Sequence, residues 1–216
     1  DLDPSSGGRV SYKYVDDRAA VTWEDVPEYG SSNPNTFQIE MFNDGRIRMS
    51  WLGVAAEASI VGLSDGEGLQ ADFQEIDFSE LAEEPSLPPL VDDFLTEEFV
   101  NDDVFDLEYS SVMFTPTSDG SSYTGVLKDI TQLPTNPVGG QNLVLRDDNV
   151  VLIILSNQTR VKIFNQSFRS FYVGANGYIT FIRGDDDPSP TLEEHFGLLR
   201  IAGIYSDLTA SNEGTV

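Results

Sequence analysis

The side chains best suited to chemistry in this sequence are clustered carboxylates. Two clusters stand out, Asp102 with Asp103 and Asp106, and the run Asp185, Asp186 and Asp187. Further acidic residues that could act in the same way are Asp147, Asp148, Glu193, Glu194 and Asp207. Ca²⁺ takes six to eight oxygen ligands, mostly carboxylates and carbonyls in loops. The two clusters therefore predict bound calcium, although no EF-hand loop is present and solvated acids of an acidic protein are the alternative.

Little in the sequence favours catalysis. His195 is the only histidine and there is no cysteine, so a typical zinc site would need several carboxylates as ligands. No Gly-x-Ser-x-Gly sequence accompanies the histidine. Paired carboxylates can hydrolyse glycosidic bonds, but only at a defined separation that the sequence does not set. We expect no enzyme activity, no catalytic residue and a structural hydrogen-bonding role for His195.

The charge of the chain restricts its partners. The 216 residues include 37 acidic and 12 basic side chains, for a net charge of −25. Such a surface repels nucleic acid and anionic membranes. The longest apolar run, 150–155, is too short to cross a membrane as a helix. Because 39% of the residues are hydrophobic and 11% aromatic, the chain is expected to fold around a substantial core rather than stay disordered.

The acidic clusters must be held by β-strands, because helix-period segments are almost missing. Apolar alternation predicts short strands, separated by turn residues, at 10–15, 19–24, 36–42, 46–51, 59–63, 112–115, 123–127, 150–155, 161–164, 171–173, 178–182 and 199–205. One helical turn is expected at 191–196. Many short strands with regular turns are typical of an all-β, antiparallel β-sandwich.

Two turns are especially well specified. Asn43-Asp44-Gly45 and Asn176-Gly177 each lie between two strand patterns. Asn-Gly and Asp-Gly readily adopt the positive φ that tight hairpins need. We therefore predict hairpins at both places. Trp23 and Trp51 alternate with inward apolar positions, which favours core packing over an exposed sugar-stacking platform.

The stretch 81–98 differs from the strands on both sides. It combines Pro85, Pro88 and Pro89 with many acidic residues, a composition typical of an extended linker. Its leucines and phenylalanines indicate that part of it lies against a neighbouring surface. The predicted organisation is a half-module at 1–80, a linker at 81–98 and a second half-module at 99–216.

The end of the sequence partly repeats its beginning. Residues 207–216 match residues 1–10 at Asp, Leu, Ser, Gly and Val, an offset of 206 residues. Chance is one interpretation, since the matched residue types are common. The other is a tandem repeat with a period near 206 residues, cut within one repeat.

Taken in the order 161–216 and then 11–78, the sequence resembles the nidogen-type extracellular module. The resemblance rests on Phe171-Tyr172-Val173, Asn176-Gly177-Tyr178-Ile179-Thr180-Phe181, Val21-Thr22-Trp23, Asn35-Thr36-Phe37-Gln38 and Asp44-Gly45. The two parts of the motif occur here in the reverse of the family's order, as a cut within a tandem array would produce. The resemblance implies an adhesion or scaffold module at the cell surface or outside the cell. It carries over no catalytic residue.

Two functions follow as expectations. The first is a non-catalytic structural repeat of an extracellular filament or adhesin, whose copies assemble head to tail by β-strand complementation. In that assembly residues 1–80 would pair with residues 97–216 of the neighbouring chain, whereas closure of both halves within one chain is the alternative. The second function is a carbohydrate- or cell-surface-binding module of a secreted multidomain protein.

Overall fold

The computed structural model describes residues 7–28, 32–56, 58–83, 95–100, 103–146, 148–156, 159–187 and 190–206. In chain order the first strands are β1 (Arg9–Val15), β2 (Arg18–Pro27), β3 (Pro34–Phe42), β4 (Ile47–Gly53), β5 (Ser59–Asp65), β6 (Thr96–Phe99), β7 (Ser110–Pro116) and β8 (Tyr123–Asp129). The remaining strands are β9 (Gln141–Asn142), β10 (Val150–Ile154), β11 (Val161–Ile163), β12 (Gln166–Phe168), β13 (Ser170–Gly174), β14 (Tyr178–Thr180) and β15 (Leu199–Tyr205). A 3₁₀ turn spans Phe78–Glu80 and the short helix α1 spans Leu192–Phe196.

The fold is an antiparallel β-sandwich, as the strand pattern predicts. One sheet has seven strands in the order β8-β7-β4-β3-β2-β1-β9, and the other has six in the order β10-β13-β14-β15-β5-β6. A separate small hairpin consists of β11 and β12. Successive side chains of a strand point to opposite faces of the sheet. In β4 this places Ile47, Met49 and Trp51 on the inner face, where all three are fully buried.

The core lies between the two sheets. It contains Val21, Ile39 and Met49 from the seven-stranded sheet and Val61, Val173 and Ile201 from the six-stranded sheet, together with other buried residues. Trp23 and Trp51 are both fully buried, so the core-packing interpretation of the tryptophans is confirmed. The Trp51 indole N–H donates to the Gly203 carbonyl at 2.8 Å, which ties the two sheets together.

Both predicted hairpins are present. Gly45 (φ 102°) lies between β3 and β4, and Gly177 (φ 80°) lies between β13 and β14. The helical turn predicted at 191–196 is present as α1, with Thr191 as its N-cap. Residues 96–98 of the predicted linker 81–98 instead belong to β6, which pairs with β5, and residues 84–94 of that linker lie outside the described residues.

The two predicted half-modules close on each other within one chain. β4 of the first half pairs with β7 of the second, and β5 pairs with β15. The predicted apolar rows Ile47, Met49, Trp51 and Val173, Ile179, Phe181 are thereby covered, none of them more than 4% exposed. The single chain is therefore closed by its own two halves, which is the arrangement given as the alternative in the sequence analysis. Exchange of halves between neighbouring chains stays a prediction.

The match between residues 207–216 and 1–10 falls almost wholly outside the described residues. Within the described ranges, no helix is long and apolar enough to cross a membrane.

Candidate functional site

The three residues of the predicted cluster at 185–187 differ in exposure: Asp185 is buried and bonded to an arginine, whereas Asp186 and Asp187 are exposed. Asp185 is nearly buried, and its Oδ2 accepts from Arg200 Nη2 at 2.5 Å. Its Oδ1 accepts from the Asp187 backbone N–H at 3.2 Å. Since Arg200 is fully buried, the carboxylate of Asp185 chiefly neutralises that guanidinium. Asp186 lies beside this pair and is exposed.

Arg200 and His195 belong to a polar layer on the outer face of the six-stranded sheet. The guanidinium packs against the rings of Tyr178 and Tyr205, 4.6 and 4.2 Å from their centroids, and the two rings also contact each other edge to face. His195 is fully buried, and its Nε2 is 3.2 Å from Thr96 Oγ1. Burial, and then the charge of Arg200, hold the pKa of His195 well below its ordinary value. His195 is therefore a neutral hydrogen-bonding residue, which is the role predicted for it.

The other predicted cluster lies at an acidic cleft. Asp103 and Asp106 line a cleft of about 410 Å³, while Asp102 lies outside the described residues. Four further carboxylates line it, a grouping that sequence spacing did not predict: Glu75, Asp77, Glu97 and Glu98. β6 supplies two of these side chains, and the segment before the 3₁₀ turn supplies the other two.

Glu97 is the most perturbed group of the acidic cleft. Burial raises its pKa to about 8, and the charges of Asp106, Asp77 and Glu75 act in the same direction. The Phe78 backbone N–H donates to Glu97 Oε2 at 3.0 Å, which opposes the shift. Glu97 is thus largely protonated at neutral pH.

The described side chains of the acidic cleft are not gathered around a single point. In the part of the chain that the structure describes, no three Asp, Glu or His side chains converge closely enough to hold one ion. Calcium needs several oxygens at 2.3–2.6 Å. The predicted calcium site at Asp102, Asp103, Asp106, Asp185, Asp186 and Asp187 accordingly gains no direct support and stays a prediction.

A second cleft, which sequence reasoning missed, lies at one end of the seven-stranded sheet. Its volume is about 670 Å³. Residues from five parts of the chain line it: the bulge of β2, the start of β3, the end of β4, Tyr109 before β7, and the loop before β9. Its polar side chains include Glu24, Asp25, Tyr109, Gln132 and Asn136. Tyr109 is 58% exposed, so one aromatic ring is open to solvent beside carboxylates and amides. We call this the Tyr109 cleft.

Two residues that line the Tyr109 cleft have an unusual backbone. Tyr109 has φ 57° and Asp25 has φ 52°, values that side chains other than glycine rarely adopt. Asp25 lies at a bulge of β2, where the register with β3 shifts between Trp23 and Val26. Its backbone N–H donates to Thr36 Oγ1 at 3.0 Å. The bulge turns Asp25 away from the regular pleat and toward the cleft.

The loop wall of the Tyr109 cleft is anchored to the sheet. Thr135 exchanges two hydrogen bonds with the buried Gln38: its N–H donates to Gln38 Oε1 at 3.0 Å, and its carbonyl accepts from Gln38 Nε2 at 2.8 Å. Lys13 Nζ donates to the carbonyls of Asn136 and Val138 at 2.9 and 2.7 Å. The loop is therefore held rigidly enough to present a preformed wall.

A buried carboxylate strengthens the same anchor. Glu40 is fully buried and accepts from Arg18 Nε at 2.7 Å and from Arg48 Nε. Thr135 Oγ1 donates to Glu40 Oε1 at 2.5 Å. Because both oxygens are bonded to cations, the charge of Glu40 is compensated inside the protein.

Comparisons of the chain with protein-family models, curated proteins and solved structures found no match. The resemblance to the nidogen-type module therefore stays a prediction from the sequence, and the function is argued from the site alone.

Proposed function

We propose that the chain is a non-catalytic, extracellular β-sandwich module that binds a neutral glycan in the Tyr109 cleft. The observation that carries the proposal is one exposed tyrosine ring beside carboxylate and amide side chains in an anchored cleft. A sugar presents an apolar C–H face, which packs on an aromatic ring, and hydroxyls, which bond carboxylates and amides. A volume of about 670 Å³ is within the range of small-molecule sites.

The negative charge of the protein favours neutral over anionic sugars as ligands of this cleft. Asp25 lines the cleft, as does Glu24, whose carboxylate is paired with Arg9, and the whole chain carries a charge of −25. Sialylated, sulfated or phosphorylated sugars would approach against this field. A neutral oligosaccharide meets no such barrier, and its hydroxyls can donate to Asp25.

The strained backbone at Tyr109 and Asp25 also supports the proposal that the Tyr109 cleft is a binding site. Left-handed conformations of non-glycine residues cost on the order of 1 kcal/mol each and tend to persist at functional sites. Two of them at one cleft indicate that the directions of these side chains matter.

The experiment is a screen of neutral and sialylated glycans, followed by titration of any hit by NMR. We expect neutral glycans to bind, and Tyr109→Ala to weaken binding about tenfold or more because the stacking surface is lost. Tyr109→Phe retains the ring and should bind within a few-fold of the wild type. Ile182→Ala changes an exposed side chain that does not line this cleft and serves as the control.

Binding that Tyr109→Ala leaves unchanged would place the glycan elsewhere. A preference for sialylated glycans would contradict the role given to charge.

A second proposal is a structural one, that the module is one repeat of an extracellular filament or adhesin with head-to-tail strand exchange. The ten-residue match at an offset of 206 residues supports it. Electron micrographs of the native material test it, since the proposal expects regular beads along an extended fibre. Isolated single particles at all concentrations would contradict it.

A further inference from the structure

The free edges of the two sheets differ in how they are protected. The β6 edge is covered, because Ile76 N–H donates to the Thr96 carbonyl at 3.0 Å and Glu98 N–H donates to Glu75 Oε1 at 2.8 Å. The β8 edge is partly covered, since Leu127 N–H donates to the Ala82 carbonyl at 3.2 Å. Strand β9 has only two residues. Covering and shortening are the usual ways in which proteins protect sheet edges from other chains.

Among the described residues, no backbone segment covers the β10 edge, and its one side-chain cap is Asn149 Oδ1, which accepts from the Val150 N–H at 2.9 Å. Leu155 N–H donates to the Arg169 carbonyl at 2.8 Å, and Ala175 N–H donates to the Asn149 carbonyl at 2.9 Å. Bonded and non-bonded pairs alternate in an antiparallel ladder, so the backbone groups of Val150, Leu152 and Ile154 point away from β13. Within the described ranges, no other backbone segment bonds the outward groups of Leu152 or Ile154.

The side chains at this edge are apolar and solvent-exposed. Leu152 is 45% and Ile154 is 73% exposed, whereas Ile153 faces the core and is buried. The strand itself, Val150–Ile154, contains no charge. An uncharged, apolar, open edge strand is a template for strand addition.

The charge of the surrounding segment removes the main obstacle to a second copy. Residues 149–184 contain no Asp or Glu, and their charged side chains are Arg160, Lys162, Arg169 and Arg183. By contrast, residues 49–127 contain many acids and no Lys or Arg. Acids do flank the Val150 end of β10, because Asp148 precedes it and Gly184, which lies against Val150, is followed by Asp185. An antiparallel pair places this end beside the partner's Ile154 end rather than beside the same acids of the second copy.

The two ends of β10 carry opposite charges. Asp148 precedes the strand, and Arg169 lies at its other end, where its carbonyl accepts from Leu155. In an antiparallel pair of copies, Asp148 of one chain lies toward the partner's Arg169 at each end. A parallel pair would instead bring like charges together at both ends of the edge, and an acidic peptide strand would place an acid beside Asp148 at one end.

We infer that two copies of this chain pair through antiparallel β10 strands centred on Leu152. In this register Leu152 lies opposite itself and Val150 lies opposite Ile154, so the three residues whose backbone groups point away from β13 face one another across the junction. The Val150 N–H would exchange its bond to Asn149 Oδ1 for one to the partner's carbonyl. The contact is isologous and closes as a symmetric dimer with one continuous sheet. Leu152 and Ile154 of both copies then form one apolar row.

The interface is small. Two five-residue strands bury much less area than a standard protein–protein interface, so we expect a micromolar dissociation constant. Sedimentation equilibrium of the intact chain over a wide concentration range measures it. Ile154→Lys places a charge in the apolar row and should raise the dissociation constant about tenfold or more. Ile182→Lys, at a similarly exposed residue outside β10, should leave it unchanged.

Cysteine cross-linking tests the register, and the chain has no native cysteine to interfere. Leu152→Cys would place two thiols on facing residues about 5.5 Å apart at Cα, within disulfide range. Ile154→Cys is more exposed, but its thiols would be roughly 14 Å apart along the strand direction. Under mild oxidation the first variant should cross-link efficiently and the second poorly, with circular dichroism confirming that both are folded.

A chain that stays monomeric throughout, or a dimer that Ile154→Lys leaves intact, overturns the proposal. So does cross-linking that is equal at the two positions, because exposure alone would then explain it.

Discussion

At the scale of single residues, Glu97 couples the acidic cleft to the stability of the fold. Its carboxyl is largely buried on β6, and burial raises its pKa to about 8 from an ordinary value of 4.5. Between these values the folded protein holds a proton that the unfolded chain has lost. The stability linked to Glu97 is therefore fully present below about pH 4.5 and is lost as the pH rises through about 8.

Glu97→Gln should remove this loss. Glutamine keeps an oxygen that can accept from the Phe78 N–H but cannot ionise. We expect the variant to be more stable than the wild type at pH 8, by on the order of 1–3 kcal/mol, and nearly equal to it at pH 4.5. Urea unfolding across this pH range measures the difference. Glu67→Gln, at an exposed site, is the control, and parallel pH profiles for the wild type and Glu97→Gln would contradict the prediction.

Tyr109 illustrates a conflict between stability and function at one residue. Its φ of 57° is unfavourable for a side chain but not for glycine. Because the ring is 58% exposed, removing it sacrifices little packing. Tyr109→Gly should therefore melt at or above the wild-type temperature while losing the glycan binding proposed for the cleft.

Tyr109→Ala is the matched comparison, since alanine removes the ring but keeps the strain. Thermal melts should place the alanine variant below the glycine variant by about 1 kcal/mol. Equal stability of the two variants would show that the backbone at this position is not strained.

At the scale of elements, the β13–β14 hairpin is fixed by Gly177. It has φ 80°, and a Cβ placed there would lie 2.0 Å from the Ile204 carbonyl oxygen. The Gly177 carbonyl also accepts from the N–H groups of Gly203 and Ile204. The turn is thus packed against the end of β15, where the backbone cannot easily move.

Gly139 separates the two causes of strain. It has φ 81°, but nothing lies within 4 Å of a Cβ placed there. Gly139→Ala should cost only the conformational strain, about 1 kcal/mol. Gly177→Ala adds a clash with backbone and should cost about 2 kcal/mol or more. Chemical denaturation gives both values, and a similar cost at the two sites would show that β15 yields to the added methyl group.

Sequence reasoning succeeded for elements whose own residues carry the signal. The strands around Asn43-Asp44-Gly45 and Asn176-Gly177 combine alternation with a turn that only a few residue types can make. β6 was missed because Glu97 and Glu98 make Thr96–Phe99 look like part of an acidic linker. What holds that segment as a strand is its pairing with β5, a long-range contact that local propensity does not encode.

The candidate sites were harder to predict than the strands. Asp25 and Tyr109 are far apart in sequence, and pairing of β4 with β7 is needed to bring their strands into one sheet. Neither residue belongs to a recognisable motif. For Asp185, sequence spacing suggested a metal ligand, whereas its partner Arg200 looked like part of an ordinary buried strand.

At the scale of the whole molecule, the large and unevenly distributed negative charge affects the stability of the fold. The net charge is −25, and residues 49–127 contribute acids without any Lys or Arg. Self-repulsion of this kind lowers the stability of a compact state and is screened by salt. We therefore expect the melting temperature to rise with NaCl concentration until screening is complete.

Calcium can stabilise this protein in two ways, by general charge screening or by binding at a site, and the two ways can be distinguished by experiment. As a general counter-ion it screens the acidic surface, and NaCl at the same ionic strength should then give an equal shift. As a bound ligand it stabilises the folded state by mass action, which the clusters in the sequence predict. The acidic cleft is the place where such binding would occur, because Asp103 and Asp106 lie there with four other carboxylates, whereas Asp185 is neutralised by Arg200.

The experiment compares melting in millimolar CaCl₂ with melting in NaCl of matched ionic strength. Bound calcium predicts an additional rise of several degrees in the wild type that Asp106→Asn reduces. Asp129→Asn, at an exposed acid that lies outside the cleft and belongs to neither predicted cluster, removes the same charge and should keep the additional rise. Equal shifts from the two salts in the wild type would leave screening as the whole effect, and the acidic clusters would then be a solvated surface.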